Sequence, residues 1–252
     1  MELLSTGIPA LDRALGGGLL EDSNLLIVYD TYSKGWAIAF EILRNRIRAG
    51  DFGVIIDSVL PISSLEMELR AADFDIASEG TAGNVAVIDV FSSFYGIEYP
   101  YDFVYTDGTM DAGTFLPKYS RLYRRLLTER IGDRRPVGID VTIDGLAFLF
   151  GKENFLSVFQ RLIADKERAR ITETRKRPIN IFLLNRGRAS SDLVAWVSLY
   201  SQYVLEFSSS SAPFEERMVI RKSPLPEFNP LKSQYSFRLW GGKIELSPIQ
   251  SK

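Results

Sequence analysis

The stretch from Leu25 to Leu43, LLIVYDTYSKGWAIAFEIL, limits the folds open to this chain more than any other. Leu25 to Tyr29 form an unbroken apolar and aromatic run, which suits a strand covered on both faces by helices. A short polar turn follows, then a helix with a large apolar face. The expected class is α/β, and 252 residues provide one substantial core, so a single domain over 1–252 is expected. The chain lacks cysteine, which excludes disulfides, zinc thiolates and thiol nucleophiles. It also lacks histidine, which excludes His-based triads and imidazole bases and leaves carboxylates, lysine, tyrosine and hydroxyls. A net charge of -2 provides no global field toward nucleic acid or anionic lipid. No apolar run is long enough to span a bilayer, and the segment after Met1 lacks a signal-peptide pattern, so a cytoplasmic protein without a membrane partner is expected.

The turn itself can be compared with phosphate chemistry. A strand-turn-helix that holds a nucleoside triphosphate carries G-x-x-x-x-G-K-[ST], with backbone N–H groups around the phosphates, a lysine on the outer phosphates and a hydroxyl on magnesium. The corresponding positions here are Tyr29, Asp30, Thr31, Tyr32, Ser33, Lys34, Gly35 and Trp36. Tyrosine replaces the first glycine, Gly-Lys is reversed to Lys34-Gly35, and an indole replaces the hydroxyl. Side chains at Tyr29 and Lys34 take up space and torsional freedom that glycine would leave. The residue pattern keeps the loop's register and loses most of its phosphate chemistry.

Glu2 to Gly18, ELLSTGIPALDRALGGG, reads as an extended piece, a cap at Ser5-Thr6, a helix with Ile8, Leu11 and Leu15 on one face, and a glycine stop. S-T-G-I-x-x-L-D-x-x-L-G-G-G followed by a strand and a phosphate-loop position resembles the start of the RecA/RadA/KaiC-like ATPase core. That resemblance covers nearly the whole chain. It implies a RecA-like, mostly parallel twisted sheet with helices on both faces and C-terminal antiparallel hairpins.

The remaining elements follow in that order. Gly53–Ser58, Val85–Val90, Pro136–Phe150 and Ile179–Leu184 read as buried strands; Ser63–Ala72, Pro117–Arg130, a long segment from Lys152 and Leu193–Tyr200 read as helices. Tyr203–Phe207 and Arg217–Arg221 are expected to pair through a turn at Ser208–Ser211, and Tyr235–Leu239 with Lys243–Leu246 through Gly241-Gly242. Where KaiC-like members carry a Glu-Glu pair that activates water, this chain has Val59 and Leu60. The resemblance puts Asp144 in the place of the magnesium-holding aspartate at a strand end, with Asp140 as a rival. It also gives Asn185 to Arg188 a place near the γ-phosphate. Arg221-Lys222-Ser223 is similar to the stretch that reaches a neighbouring subunit's nucleotide. Phe74-Asp75-Ile76-Ala77 matches the Phe-x-x-Ala docking peptide of the family, although Phe74 reads as core.

Phe91 to Tyr105 contains seven aromatics in fifteen residues. They either pack a connection onto the domain or offer Phe94, Tyr95, Tyr99, Tyr101 and Phe103 to a protein or peptide partner. Lys166, Arg168, Arg170, Arg175, Lys176 and Arg177 form a basic helix end, read as solvated cations on a helix C-terminus or as phosphate contacts. With no separate arm before the core, a recombinase-type filament is not expected.

These features lead first to a catalytically degenerate, pseudo-ATPase protein that acts through protein or peptide binding. No cofactor is expected, a homo-oligomer is compatible, and nucleic acid is not expected. The alternatives are an ATP- and magnesium-binding protein, with Ser33, Lys34, Gly35, Trp36 and Asp144 as its site, and a DNA-binding recombination accessory factor.

Overall fold

The sheet is built from the apolar runs that the sequence presents. The computed structural model describes residues 1–209 and 215–249. The first half contains β1 (Leu3–Leu4), α1 (Pro9–Leu15), β2 (Leu19–Leu20), β3 (Asn24–Tyr29), α2 (Ala37–Arg48), β4 (Phe52–Asp57), α3 (Ile62–Arg70) and α4 (Ile76–Thr81). Next come β5 (Val85–Asp89), α5 (Val90–Tyr95), β6 (Val104–Tyr105), α6 (Phe115–Leu126), β7 (Pro136–Asp140), α7 (Ile143–Phe150) and α8 (Lys152–Thr172). The chain continues through β8 (Ile179–Asn185), α9 (Ser191–Tyr200), β9 (Tyr203–Ser209), β10 (Glu216–Lys222), β11 (Gln234–Trp240) and β12 (Lys243–Pro248). The later part of the turn expected at Ser208–Ser211 lies outside the described residues.

Among the described residues, ten strands form one sheet in the order β12-β11-β10-β9-β3-β8-β7-β4-β5-β6. The pairs from β9 through β6 are parallel, and those from β9 out to β12 are antiparallel. Strand alternation divides the core in two. Leu25 and Ile27 join one apolar layer with Leu11, Phe40 and Leu65, while Leu26 and Val28 join the other with Phe115, Phe155 and Val197. The sheet is therefore sandwiched between helices, as the unbroken run in β3 implies.

Local chemistry changes several boundaries. Ser5-Thr6 does not cap α1, whose N-cap is Ile8 without a side-chain hydrogen bond. Instead Asp12 reaches back from within the helix, accepting the Thr6 amide at 2.8 Å, the Thr6 hydroxyl at 2.7 Å and the Ser5 hydroxyl at 2.6 Å. Gly18 then passes so close to β1 that an added Cβ would lie 2.5 Å from the Leu4 carbonyl oxygen. Pro136–Phe150 is not one strand: β7 stops at Asp140 and Ile143 begins α7. A short apolar run reads alike as strand or buried helix, and packing against α8 decides for helix. Helix α6 begins at Phe115, two residues before the expected Pro117, and runs into a π-helical turn at Leu127–Ile131.

Candidate functional site

Because β3, β8, β7, β4 and β5 are parallel, their last residues, Tyr29, Asn185, Asp140, Asp57 and Asp89, share one sheet edge, where ligands of open α/β sheets bind. The turn after β3 lies at this edge, and several of its amide and hydroxyl groups are engaged within the chain. Tyr32 donates its amide to Asp30 Oδ1 at 3.0 Å, and Ser33 donates its amide to the Asp30 carbonyl at 3.1 Å. Lys34 donates its amide to Glu216 Oε1 at 2.7 Å, while the Ser33 hydroxyl donates to Glu216 Oε2. The Ser33 hydroxyl also accepts the Gly35 amide at 2.9 Å.

Glu216 reaches the turn through sheet topology. It pairs with Ser209 across the mouth of the β9–β10 hairpin, and β9 lies directly beside β3. Ser209 fastens the other side, donating its amide and hydroxyl to Asp30 Oδ2 at 2.6 and 2.8 Å. Burial opposes ionisation of Asp30, but hydrogen bonds from Ser209, Tyr32 and Ser33 together hold its carboxyl below the usual range. Beneath the turn, the Phe207 ring fills the space that Gly35 leaves: an added Cβ would meet its Cγ at 2.1 Å. Trp36 is half-buried and meets Phe40 edge to face, and Lys34 is exposed with its Nζ 6.0 Å from the indole centroid.

Asp144 departs from its expected position. It lies in the first turn of α7, and Asp140 is the residue that ends a strand. Both Asp144 oxygens have partners, Oδ1 accepting the Asn185 amide at 3.0 Å and Oδ2 accepting Arg188 Nε at 2.5 Å. This pair lies beside Tyr29, whose hydroxyl burial pushes up to about 12 with help from the Asp144 charge. Arg186 and Arg221 both pair with Glu206, and Lys222 donates to the Ser201 carbonyl at 2.5 Å, capping α9.

Asp57 and Asp89 carry chemistry that the sequence reading passed over. Both are fully buried and face one another in register at the ends of β4 and β5. Asp57 Oδ1 accepts the amides of Val59 and Leu60, both at 3.2 Å, and Asp89 Oδ1 accepts that of Ser92 at 2.7 Å. Asp57 Oδ2, Asp89 Oδ2 and Asp140 Oδ1 have no hydrogen-bond partner. Burial pushes Asp57 up to about 7 against the pull of the Leu60 and Val59 amides, and it raises Asp89 as well. It also pushes Asp140 up to about 7, assisted by the charges of Asp144 and Asp57. A signal was present: Ile-Asp occurs at 56–57, 88–89 and 139–140, each time closing a strand, and at 143–144, where it opens a helix. No group of three or more acids among the described residues is arranged to hold a metal ion.

The aromatic segment divides. Val90–Tyr95 is helix α5, and Tyr99, Tyr101 and Phe103 stack with centroids 6.1 and 5.2 Å apart. Tyr95 and Tyr101 are 59% and 38% exposed and Phe94 and Tyr99 are half-buried, whereas Phe103 is 1% exposed. Phe103 therefore belongs to the core: its ring lies where a Cβ on Gly80 of α4 would come within 2.4 Å. Phe74 is likewise buried, packed on Phe40, so the Phe-x-x-Ala motif is docked in its own chain.

No family model and no curated protein matches the chain. Solved structures do match. An uncharacterized protein from Pyrococcus horikoshii, solved in complex with an unknown peptide, has a TM-score of 0.82 at 20% identity, covering 98% of this chain and 100% of that one. A KaiC-like protein from the same archaeon has a TM-score of 0.68 at 15% identity, covering 98% and 99%. The chain has a KaiC/RecA-like fold: a mixed, mostly parallel sheet between helices, extended by C-terminal antiparallel strands. No helix among the described residues is long and apolar enough to cross a membrane.

Proposed function

We propose that this chain is a non-hydrolysing member of the KaiC/RecA-like fold that works by binding a protein or peptide. The observation that carries the reading is Glu216, whose carboxylate accepts hydrogen bonds from the Lys34 amide and the Ser33 hydroxyl where a triphosphate would need donors. The residues present do not fit a magnesium triphosphate. Glu216 adds negative charge to the cradle, Phe207 fills it, Trp36 has no hydroxyl, and both Asp144 oxygens are taken. Val59 packs where a Cβ on Gly145 would come within 2.3 Å of its side chain, so no carboxylate stands at that position to orient water. The peptide complex of the Pyrococcus neighbour supports the binding half of the proposal. Tyr95 and Tyr101 also leave part of the aromatic segment open to a partner.

Calorimetric titration with ATP and magnesium, and with a non-hydrolysable analogue, tests the nucleotide half. No heat is expected at millimolar nucleotide, and binding tighter than about 100 μM, roughly 5.5 kcal/mol, would sink it. Rebuilding the motif with Lys34→Gly, Gly35→Lys and Trp36→Thr is expected to leave the chain unable to bind. Glu216 and Phe207 still occupy the cradle, and the new lysine collides with the Phe207 ring.

A further inference from the structure

On the face of the sheet opposite α2, helices α6 and α8 stand apart and leave a cavity of about 460 Å³ over β7. The gap has a local cause: Gly138, in the middle of β7, puts no side chain into it. Its walls are apolar and aromatic, formed by Ile56, Tyr119, Tyr123, Phe159, Leu162 and Phe182. Asp140 adds a carboxyl to the lining; it is 9% exposed through its other atoms, while its Oδ1 is fully enclosed and lacks a hydrogen-bond partner.

The lining also holds an unbalanced set of charges. Arg124, Arg134, Arg175, Lys176 and Arg177 take no part in an ion pair among the described residues. Arg124 and Arg175 donate only to the carbonyls of Ser120 and Leu127, at 3.1 and 3.5 Å, and Arg177 to carbonyls at the end of α8. Arg134 donates to the Arg130 carbonyl and lies over the Phe52 ring. Of the lining acids, Asp22 is paired with Lys166 and Arg170 and Asp165 with Arg168, which leaves Glu173 and Asp140 against five cations. The surplus is positive.

We propose that this cavity seats an acidic segment of a partner protein, which places an aromatic side chain with an N–H or O–H tip between α6 and α8. The inference rests on the peptide-binding reading and gives it a place and a ligand chemistry. The apolar walls take the ring, Asp140 offers an acceptor to the tip, and the basic rim takes the flanking carboxylates. A lysine-rich segment would meet the same rim with like charge.

The test is selection from a displayed random-peptide library on the full chain, followed by affinity measurement of the enriched peptides. Enriched sequences are expected to carry Trp or Tyr between Asp or Glu residues. Leu162→Trp, which fills the cavity, is expected to weaken them about tenfold or more. Arg175→Glu with Lys176→Glu, both on exposed side chains, is expected to weaken them by a similar factor and flatten the salt dependence. Peptides that bind Leu162→Trp and the charge-reversed variant as well as wild type would overturn the cavity assignment and leave peptide binding intact elsewhere. Enrichment of basic peptides, or displacement of acidic ones by an oligothymidylate with matching sensitivity to both variants, would overturn the stated chemistry. Failure to enrich any peptide would bring down both this inference and the reading beneath it.

Discussion

The turn after β3 and the cavity over β7 lie on one sheet and handle a carboxylate in opposite ways. At the turn, Glu216 accepts from the Ser33 hydroxyl and the Lys34 amide, and the Phe207 ring closes the space below Gly35. At the cavity, Asp140 has an oxygen without a partner, a glycine leaves the sheet uncovered, and unpaired cations stand around it. A buried polar group costs stability unless it is hydrogen-bonded, so the first region is internally complete and the second is not. The turn after β3 is filled from within, and the open chemistry lies on the other face of the sheet.

The largest effect expected from challenging this contrast is at the plug. Phe207→Ala should destabilise by about 3–5 kcal/mol in denaturant unfolding, as large-to-small core changes do. Gly35→Ala should cost about 1–3 kcal/mol through overpacking, and less in a Phe207→Leu background, where the ring is gone. Additivity of these two changes would show that glycine is not there to make room for the ring.

Removing the internal anion comes next. Glu216→Ala leaves the Lys34 amide and the Ser33 hydroxyl without their acceptor and should cost about 1–3 kcal/mol. A neutral or stabilising result would mean that the carboxylate is merely tolerated there, and the comparison would break.

The last expected effect has the opposite sign. Asp140 titrates near 7 in the fold because of burial and the charges of Asp144 and Asp57, against about 3.9 when unfolded. Its raised value makes its contribution fully present below about pH 4 and lost as pH rises to about 7, after which it stays flat. Asp140→Asn should therefore stabilise the chain at pH 8 relative to wild type, with the gain shrinking toward pH 5. Equal gains at both pH values would show that the group does not titrate in this window.

How much was legible in the chain depended on whether the governing interaction was local. The unbroken run in β3, the spacing of strands and helices and the closing hairpin are properties of neighbouring residues, and they placed most of the sheet correctly. Pro136–Phe150 reads as one strand because strand and buried helix share one apolar pattern at that length, and it is the family resemblance that puts Asp144 at a strand end rather than in a helix. For Phe103 the choice between core and partner surface stays open in the sequence because its packing partner, Gly80, lies on another element.

The sequence by itself determined the α/β class, the absence of thiol and imidazole side chains, and a turn that departs from the triphosphate-binding pattern at Tyr29, Lys34, Gly35 and Trp36. Only the tertiary structure decided what occupies that turn. Glu216 is 182 residues from Lys34 and reaches it because β9 pairs with β3 and β10 with β9. The cavity is likewise a product of packing: Gly138 says nothing until α6 and α8 are laid across it and left apart. Periodicity reports which face of an element is buried, and it carries no information on which distant side chain will complete, or fail to complete, the polar groups found there.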